Sequence, residues 1–121
     1  MAKILIVDDS PTEMAKFREI LLRHQHEIIE AHTGEEGIQK ANELKPDIIL
    51  MDVVMPEMNG FQATRKISRD AATAHIPIVI ISTKNQETDR VWGKRQGAKD
   101  YLTKPVNEAE LIQIIGSLLG Q

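Results

Sequence analysis

A single parallel β-sheet covered by helices on both faces is the fold this sequence predicts, and three observations carry the prediction. Short apolar runs at Lys3–Val7, Ile48–Met51 and Ile76–Ile81 are apolar on successive residues, as in strands buried on both sides. These runs alternate with amphipathic segments that begin at side-chain caps and end at Gly or Pro. The runs also end abruptly on polar residues, at Asp8-Asp9, Asp52 and Ser82-Thr83. Open α/β sheets place their chemistry at that edge.

Taken in order, Lys3–Val7 is a buried strand that stops on two acids. Ser10 then suits an N-cap, Pro11 the first helical position, and Glu13 the far side of a capping box. Met14, Phe17, Ile20, Leu21 and His24 share one side of the helix that follows. Glu27–Ala31 alternates enough to be a less buried strand. Thr33 and Glu36 predict a second capping box, opening a helix whose stripe is Ile38, Ala41 and Leu44 and which Lys45-Pro46 breaks.

The central stretch runs from Pro46 to Pro56: β-formers Ile48 to Met51, then Asp52, then a stop at Met55-Pro56, because proline has no N–H for a ladder. Asn59-Gly60 starts a helix with Phe61, Thr64 and Ile67 on one face. Ile76–Ile81 is entered through Pro77, and Gln86 to Gln96 is helical and closed by Gly97. Asp100–Leu102 is a short strand ending at Thr103-Lys104-Pro105. Asn107 caps the last helix, with Glu110 three residues on. Leu111, Ile114, Ile115 and Leu118 form its core face, and Ile112 and Leu119 a flanking stripe. Five strands alternating with five helices, without repeats or linkers, argue for one sheet with right-handed crossovers. The unit uses all of residues 1–121, so no output domain is expected.

Composition narrows the function. With 121 residues, 41% hydrophobic and 27% charged, the chain is of ordinary globular make-up. It has no cysteine, which excludes disulfides and thiolate metal sites. A formal charge of −3 gives no reason to expect nucleic-acid binding. Apolar runs are too short for membrane insertion, and Asp8 and Asp9 come too early for a signal peptide. A cytoplasmic protein is expected.

In a parallel sheet the ends carrying Asp8-Asp9, Asp52, Ser82-Thr83 and Lys104 lie on one edge and can converge. Three carboxylates placed together repel one another unless a cation is supplied. A hard ion held by carboxylate oxygens, a backbone carbonyl and water answers that need, and Mg²⁺ is the natural choice. A carboxylate nucleophile with Mg²⁺, a lysine and a hydroxyl suits phosphoryl transfer.

On these residues the whole chain resembles the receiver domains of bacterial two-component response regulators, similar to the chemotaxis receiver. The shared motifs are Asp8-Asp9, Asp52 with Met55-Pro56 and Gly60, Ser82, Gly97-Ala98, Tyr101 and Lys104-Pro105. The resemblance implies a flavodoxin-like (βα)5 sheet with strand order 2-1-3-4-5. It implies Asp52 as phosphoacceptor from a histidine kinase. Asp9, Asp52 and the Val54 backbone carbonyl would hold Mg²⁺, with Asp8 acting through water. Lys104 would contact the phosphoryl group, with a cis peptide bond to Pro105. Ser82 would be drawn to a phosphoryl oxygen and Tyr101 would turn inward, altering the partner face of the fourth helix, fifth strand and fifth helix. Thr83 stands where alanine is usual, and Val54 and Lys84 fall at two variable positions beside the site.

The stretch from Lys84 to Val106, with Trp92-Gly93 in its helix, resembles single-domain regulators of type IV pilus, twitching-motility chemosensory systems. Asp9-Ser10-Pro11-Thr12-Glu13 and Asn59-Gly60-Phe61-Gln62-Ala63-Thr64 do likewise. That implies a chemotaxis-type histidine kinase upstream and a motor or other effector protein downstream. Trp92 reads as either a core residue or a partner contact, and with Ile112 and Leu119 makes the candidate partner surface. Gly93 inside a helix costs about 1 kcal/mol relative to alanine, and serves either close packing or easy remodelling.

Particular residues weigh against competing functions. A phosphohydrolase working through an aspartyl-phosphate wants a second acid two residues after the nucleophile, and Val54 stands there. A nucleotide-binding domain wants a Gly-rich loop after the first strand, where Asp8-Asp9-Ser10 stands. Within signalling, a messenger and a phosphate sink for another regulator of the same kinase both remain open.

Overall fold

In the computed structural model, which describes residues 1–120, five strands alternate with five helices along the chain. The order is β1 (Lys3–Val7), α1 (Pro11–Arg23), β2 (Glu27–Ala31), α2 (Gly34–Leu44), β3 (Ile48–Met51), α3 (Gly60–Arg69), β4 (Ile78–Ser82), α4 (Glu87–Arg95), β5 (Asp100–Thr103) and α5 (Glu108–Leu118). All strand pairs are parallel, and the sheet order is β2-β1-β3-β4-β5.

The unbroken apolar runs have the cause expected of them. Every residue of β3 and β4 is buried, because successive side chains enter separate cores on the two faces. Leu5, Val7, Ile49, Met51, Ile78 and Ile80 pack with Phe61, Ala63 and Ile67 of α3 and Ala41 of α2. Ile4, Ile6, Ile48, Leu50, Val79 and Ile81 pack on the other face with α1 and α5, through Met14, Phe17, Leu21, Leu111 and Ile115. Edge strand β2 is only partly covered, in keeping with its alternating sequence.

Local details depart from expectation where chemistry offered a choice. β4 begins at Ile78 rather than Ile76; Ile76 closes a turn, its N–H bonded to the Thr73 carbonyl at 3.0 Å. α4 is shorter than Gln86–Gln96, those two residues being its caps. At α1, Ser10 accepts from the Glu13 N–H at 3.2 Å, but no reciprocal bond closes the box. At α2 the Glu36 carboxylate takes the His32 N–H at 2.6 Å, one residue before the Thr33 cap. Leu44 is 42% exposed because α2 ends there, its cap Lys45 turning left-handed at φ 46°. His24 leaves the apolar stripe of α1 and meets Glu108 of α5 at 3.1 Å, beside an Arg23–Glu108 ion pair at 2.6 Å. No helix among the described residues is long and apolar enough to cross a membrane.

Candidate functional site

The ladders themselves carry the polar residues to one edge. Asp8, Asp52 and Lys104 each stand at the C-terminal end of a strand, and each backbone N–H donates to the end of the neighbouring strand. Asp8 donates to the Ala31 carbonyl at 3.0 Å, Asp52 to Val7 at 2.9 Å and Lys104 to Ser82 at 2.9 Å. The main chain thus fixes these residues before any side chain acts. Gly60 completes the cradle: its N–H donates to the Val53 carbonyl at 2.9 Å. A Cβ at Gly60 would lie 1.9 Å from the Asp52 carbonyl oxygen, so only glycine lets α3 start this close.

The side chains converge. Lys104 Nζ lies 3.0 Å from Asp8 Oδ2 and 3.3 Å from Asp52 Oδ1, with Glu13 Oε1 at 3.6 Å. The other Asp8 oxygen, Oδ1, accepts the Ser10 N–H at 2.9 Å. Asp8 and Asp52 are buried, whereas Asp9 is exposed. One oxygen from each of Asp8, Asp9 and Asp52 lies within 4.8 Å of the others. That donor set, all hard carboxylate oxygen with a single lysine against it, fits a divalent cation such as Mg²⁺.

Burial, reinforced by the Asp8 charge, raises the Asp52 pKa from 3.8 to about 6, against the opposing pull of Lys104. Burial also works against the Lys104 ammonium, but Asp8 and Asp52 together outweigh it and hold its pKa above the usual lysine value. Asp52 is therefore ionised at neutral pH yet poorly compensated, a reactive state for a nucleophile.

The other expected site residues fall into two groups. Ser82 ends β4 fully buried, its hydroxyl accepting the Lys84 N–H at 3.1 Å, while Thr83 is exposed on the following turn. The Lys104–Pro105 peptide bond is cis. Val54 is 58% exposed beside Asp52. Tyr101 lies inside, 3% exposed, and its hydroxyl donates to the Lys84 carbonyl at 2.7 Å. Burial pushes the phenol's pKa up accordingly.

Trp92, Ile112 and Leu119 do not form one surface. Trp92, 47% exposed, borders a hollow with Asn59, Phe61, Gln62 and Arg65 of the α3 side. Ile112 borders a separate hollow with His24 and Glu108, and it and Leu119 are half-buried against the α1–α5 core on the opposite sheet face.

Two participants are not evident from the sequence. Glu13 reads there only as a capping residue, although Pro11 starts α1 so soon after Asp8-Asp9 that its first turn must face the strand ends. Arg90 carries no sequence signal at all. Its guanidinium donates to the Tyr101 carbonyl at 3.1 Å and Thr103 Oγ1 at 2.8 Å, and stacks 5.3 Å from the Tyr101 ring centroid. No spacing in the chain announces that clamp.

Comparison with known proteins decides the family. The response regulator receiver domain model matches residues 4–116. The chain belongs to the response regulator receiver family. It is 57% identical over 120 residues to protein PilH of Pseudomonas aeruginosa, covering 99% of each. Among solved structures it resembles chemotaxis protein CheY4 of Vibrio cholerae, with TM-score 0.91 and 31% identity over 98% of this chain and 99% of that one. It also resembles the receiver domain of sensor histidine kinase PA1611 from Pseudomonas aeruginosa, with TM-score 0.92 and 28% identity over 99% and 98%. That structure holds a magnesium ion in its active-site cleft. A receiver domain is a signalling unit, and phosphorylation-dependent signalling is consistent with the family.

Proposed function

We propose that residues 1–121 act as a receiver that takes phosphate from a histidine kinase on Asp52 and signals by protein binding. The supporting observation is the Asp52 carboxylate, 7% exposed at the end of β3, with Lys104 Nζ 3.3 Å from its Oδ1. An Asp52 oxygen attacks the phosphorus of a phosphohistidine, the P–N bond breaks, and its electron pair leaves with the imidazole. Lys104 neutralises charge on the transferred group and Ser82 supplies a hydroxyl to one of its oxygens. Asp9, Asp52 and the Val54 carbonyl would hold Mg²⁺, with Asp8 acting through water. The ion would supply further charge neutralisation at the phosphoryl oxygens. With Val54 in place of a second acid, the protein would catalyse its own phosphorylation and dephosphorylation and turn over no separate substrate.

The resemblance to type IV pilus regulators, together with 57% identity to PilH, supports a chemotaxis-type kinase as donor in a cytoplasmic twitching-motility pathway. A motor or other effector would be the downstream partner. Within the same reading, the protein is either the messenger to that effector or a phosphate sink for another regulator sharing the kinase.

Incubation with a radiolabelled, autophosphorylated kinase of its own system tests both roles. Label should move to the wild type and not to Asp52→Asn. Rapid release as inorganic phosphate would favour the sink, and persistence the messenger. Retention of all label on the kinase would contradict the proposal.

A further inference from the structure

Glu13 stands close to the phosphoryl site without a part in the chemistry above. The Ser10 cap and Pro11 fix it in the first turn of α1, facing the strand ends. Its carboxylate is divided between two lysines, Oε1 lying 3.6 Å from Lys104 Nζ and Oε2 3.4 Å from Lys16 Nζ. Lys104 is 11% exposed, against 64% for Lys16, so the Lys104 side of the carboxylate is the sheltered one.

An ammonium has three hydrogens, and the Lys104 ammonium has three carboxylates around it: Asp8 at 3.0 Å, Asp52 at 3.3 Å and Glu13 at 3.6 Å. A phosphoryl group arriving on Asp52 needs one of those hydrogens. Asp8 does not release Lys104 readily, since it is 1% exposed and held on its other oxygen by the Ser10 N–H. Glu13 makes the longest of the three contacts and is the most exposed, so it is the partner that can let go. We propose that Glu13 is a positioning residue that competes with the incoming phosphoryl group for Lys104 and, as a fourth carboxylate, disfavours anionic phosphodonors. The inference rests on the phosphoacceptor reading of Asp52.

The test follows adduct formation by intact mass at low ionic strength with Mg²⁺, for wild type, Glu13→Gln and Glu13→Asp. Two small donors are compared, acetyl phosphate and the less negatively charged phosphoramidate. Glu13→Gln should raise the initial rate with acetyl phosphate about two- to five-fold, the range expected for one partly exposed ion pair. The gain with phosphoramidate should be smaller, and added salt should shrink both. Glu13→Asp, which keeps the charge, should fall back towards wild type. A loss of helix stability alone would change both donors equally and would not respond to salt. Hydrogen exchange at the Lys104 ammonium, followed by NMR without phosphate, should be faster in Glu13→Gln. Equal rates for wild type and Glu13→Gln, or a gain indifferent to donor charge, would overturn the inference and leave the Asp52 reading intact. No adduct in the wild type would overturn the Asp52 reading and this inference with it, whereas unchanged ammonium exchange would remove the Glu13 contact alone.

Discussion

Replacing Asp52 with asparagine should make the metal-free protein more stable at neutral pH. The Asp52 carboxyl loses its proton at about pH 6 in the folded chain and near 3.8 when unperturbed. Between those values the folded state binds more protons than the unfolded state, so stability falls as pH rises through the window. Each pH unit of displacement corresponds to about 1.4 kcal/mol. A gap from 3.8 to about 6 therefore costs the folded wild type about 3 kcal/mol above roughly pH 7. The substituted amide keeps the shape and an oxygen for Lys104 but carries no charge, and Lys104 retains Asp8 at 3.0 Å. Urea unfolding with a chelator present, read by the fluorescence of the single tryptophan, Trp92, measures the difference. Asp52→Asn should exceed wild type by about 2–3 kcal/mol near pH 7.5. The gap should shrink through pH 6 to 4 and vanish below about pH 4, where both side chains are neutral. Mg²⁺ should then stabilise wild type more than the variant. A variant no more stable than wild type at neutral pH, or a gap that ignores pH, would refute the account of Asp52.

Other substitutions probe the rest of the site. Lys104→Met leaves Asp8 and Asp52 facing each other without a cation, and should lower stability in chelator by about 3 kcal/mol, with partial recovery on adding Mg²⁺; calorimetry with and without metal checks it. Gly60→Ala puts a methyl 1.9 Å from the Asp52 carbonyl oxygen, and should cost at least about 2 kcal/mol in urea unfolding while slowing phosphorylation, since the loop carrying Asp52 must shift. Arg90→Ala removes two hydrogen bonds and a stacked cation from β5. It should cost about 1–2 kcal/mol and expose the Tyr101 ring, seen as altered ring resonances by NMR; unchanged resonances would show that the clamp does not hold the ring.

What could be read from the sequence was whatever depends on chain order and periodicity. The double burial of Ile48–Met51, the stop at Pro56 and the Pro11 helix start are local facts, and together they impose a parallel sheet with its acids on one edge. Convergence of Asp8, Asp52 and Lys104 follows from that topology, although Lys104 is 96 residues from Asp8. What escaped depends on how side chains choose among partners. Glu13 and Glu36 each had a capping position available and each found a different partner, Lys104 and the His32 N–H. The Arg90 clamp requires knowing that α4 lies along β5. The sequence leaves Gly93 between two readings, and close packing explains it: a Cβ there would meet Ile80 Cδ1 at 3.0 Å and Tyr101 Cδ2 at 3.1 Å. The inward Tyr101 thus depends on a glycine eight positions upstream, a link visible only in three dimensions. Trp92 and Ile112 read from the chain as parts of one candidate partner surface, but the sheet separates them.

Phosphorylation of Asp52 is tested most directly by intact mass of the wild type and Asp52→Asn after incubation with acetyl phosphate, with Mg²⁺ and with a chelator. The wild type with Mg²⁺ should gain one phosphoryl group, placed on Asp52 by fragmentation, with no gain by the variant or in chelator. A phosphoryl group on another residue, a gain that persists in Asp52→Asn, or repeated turnover of a phosphate ester without an adduct would contradict it.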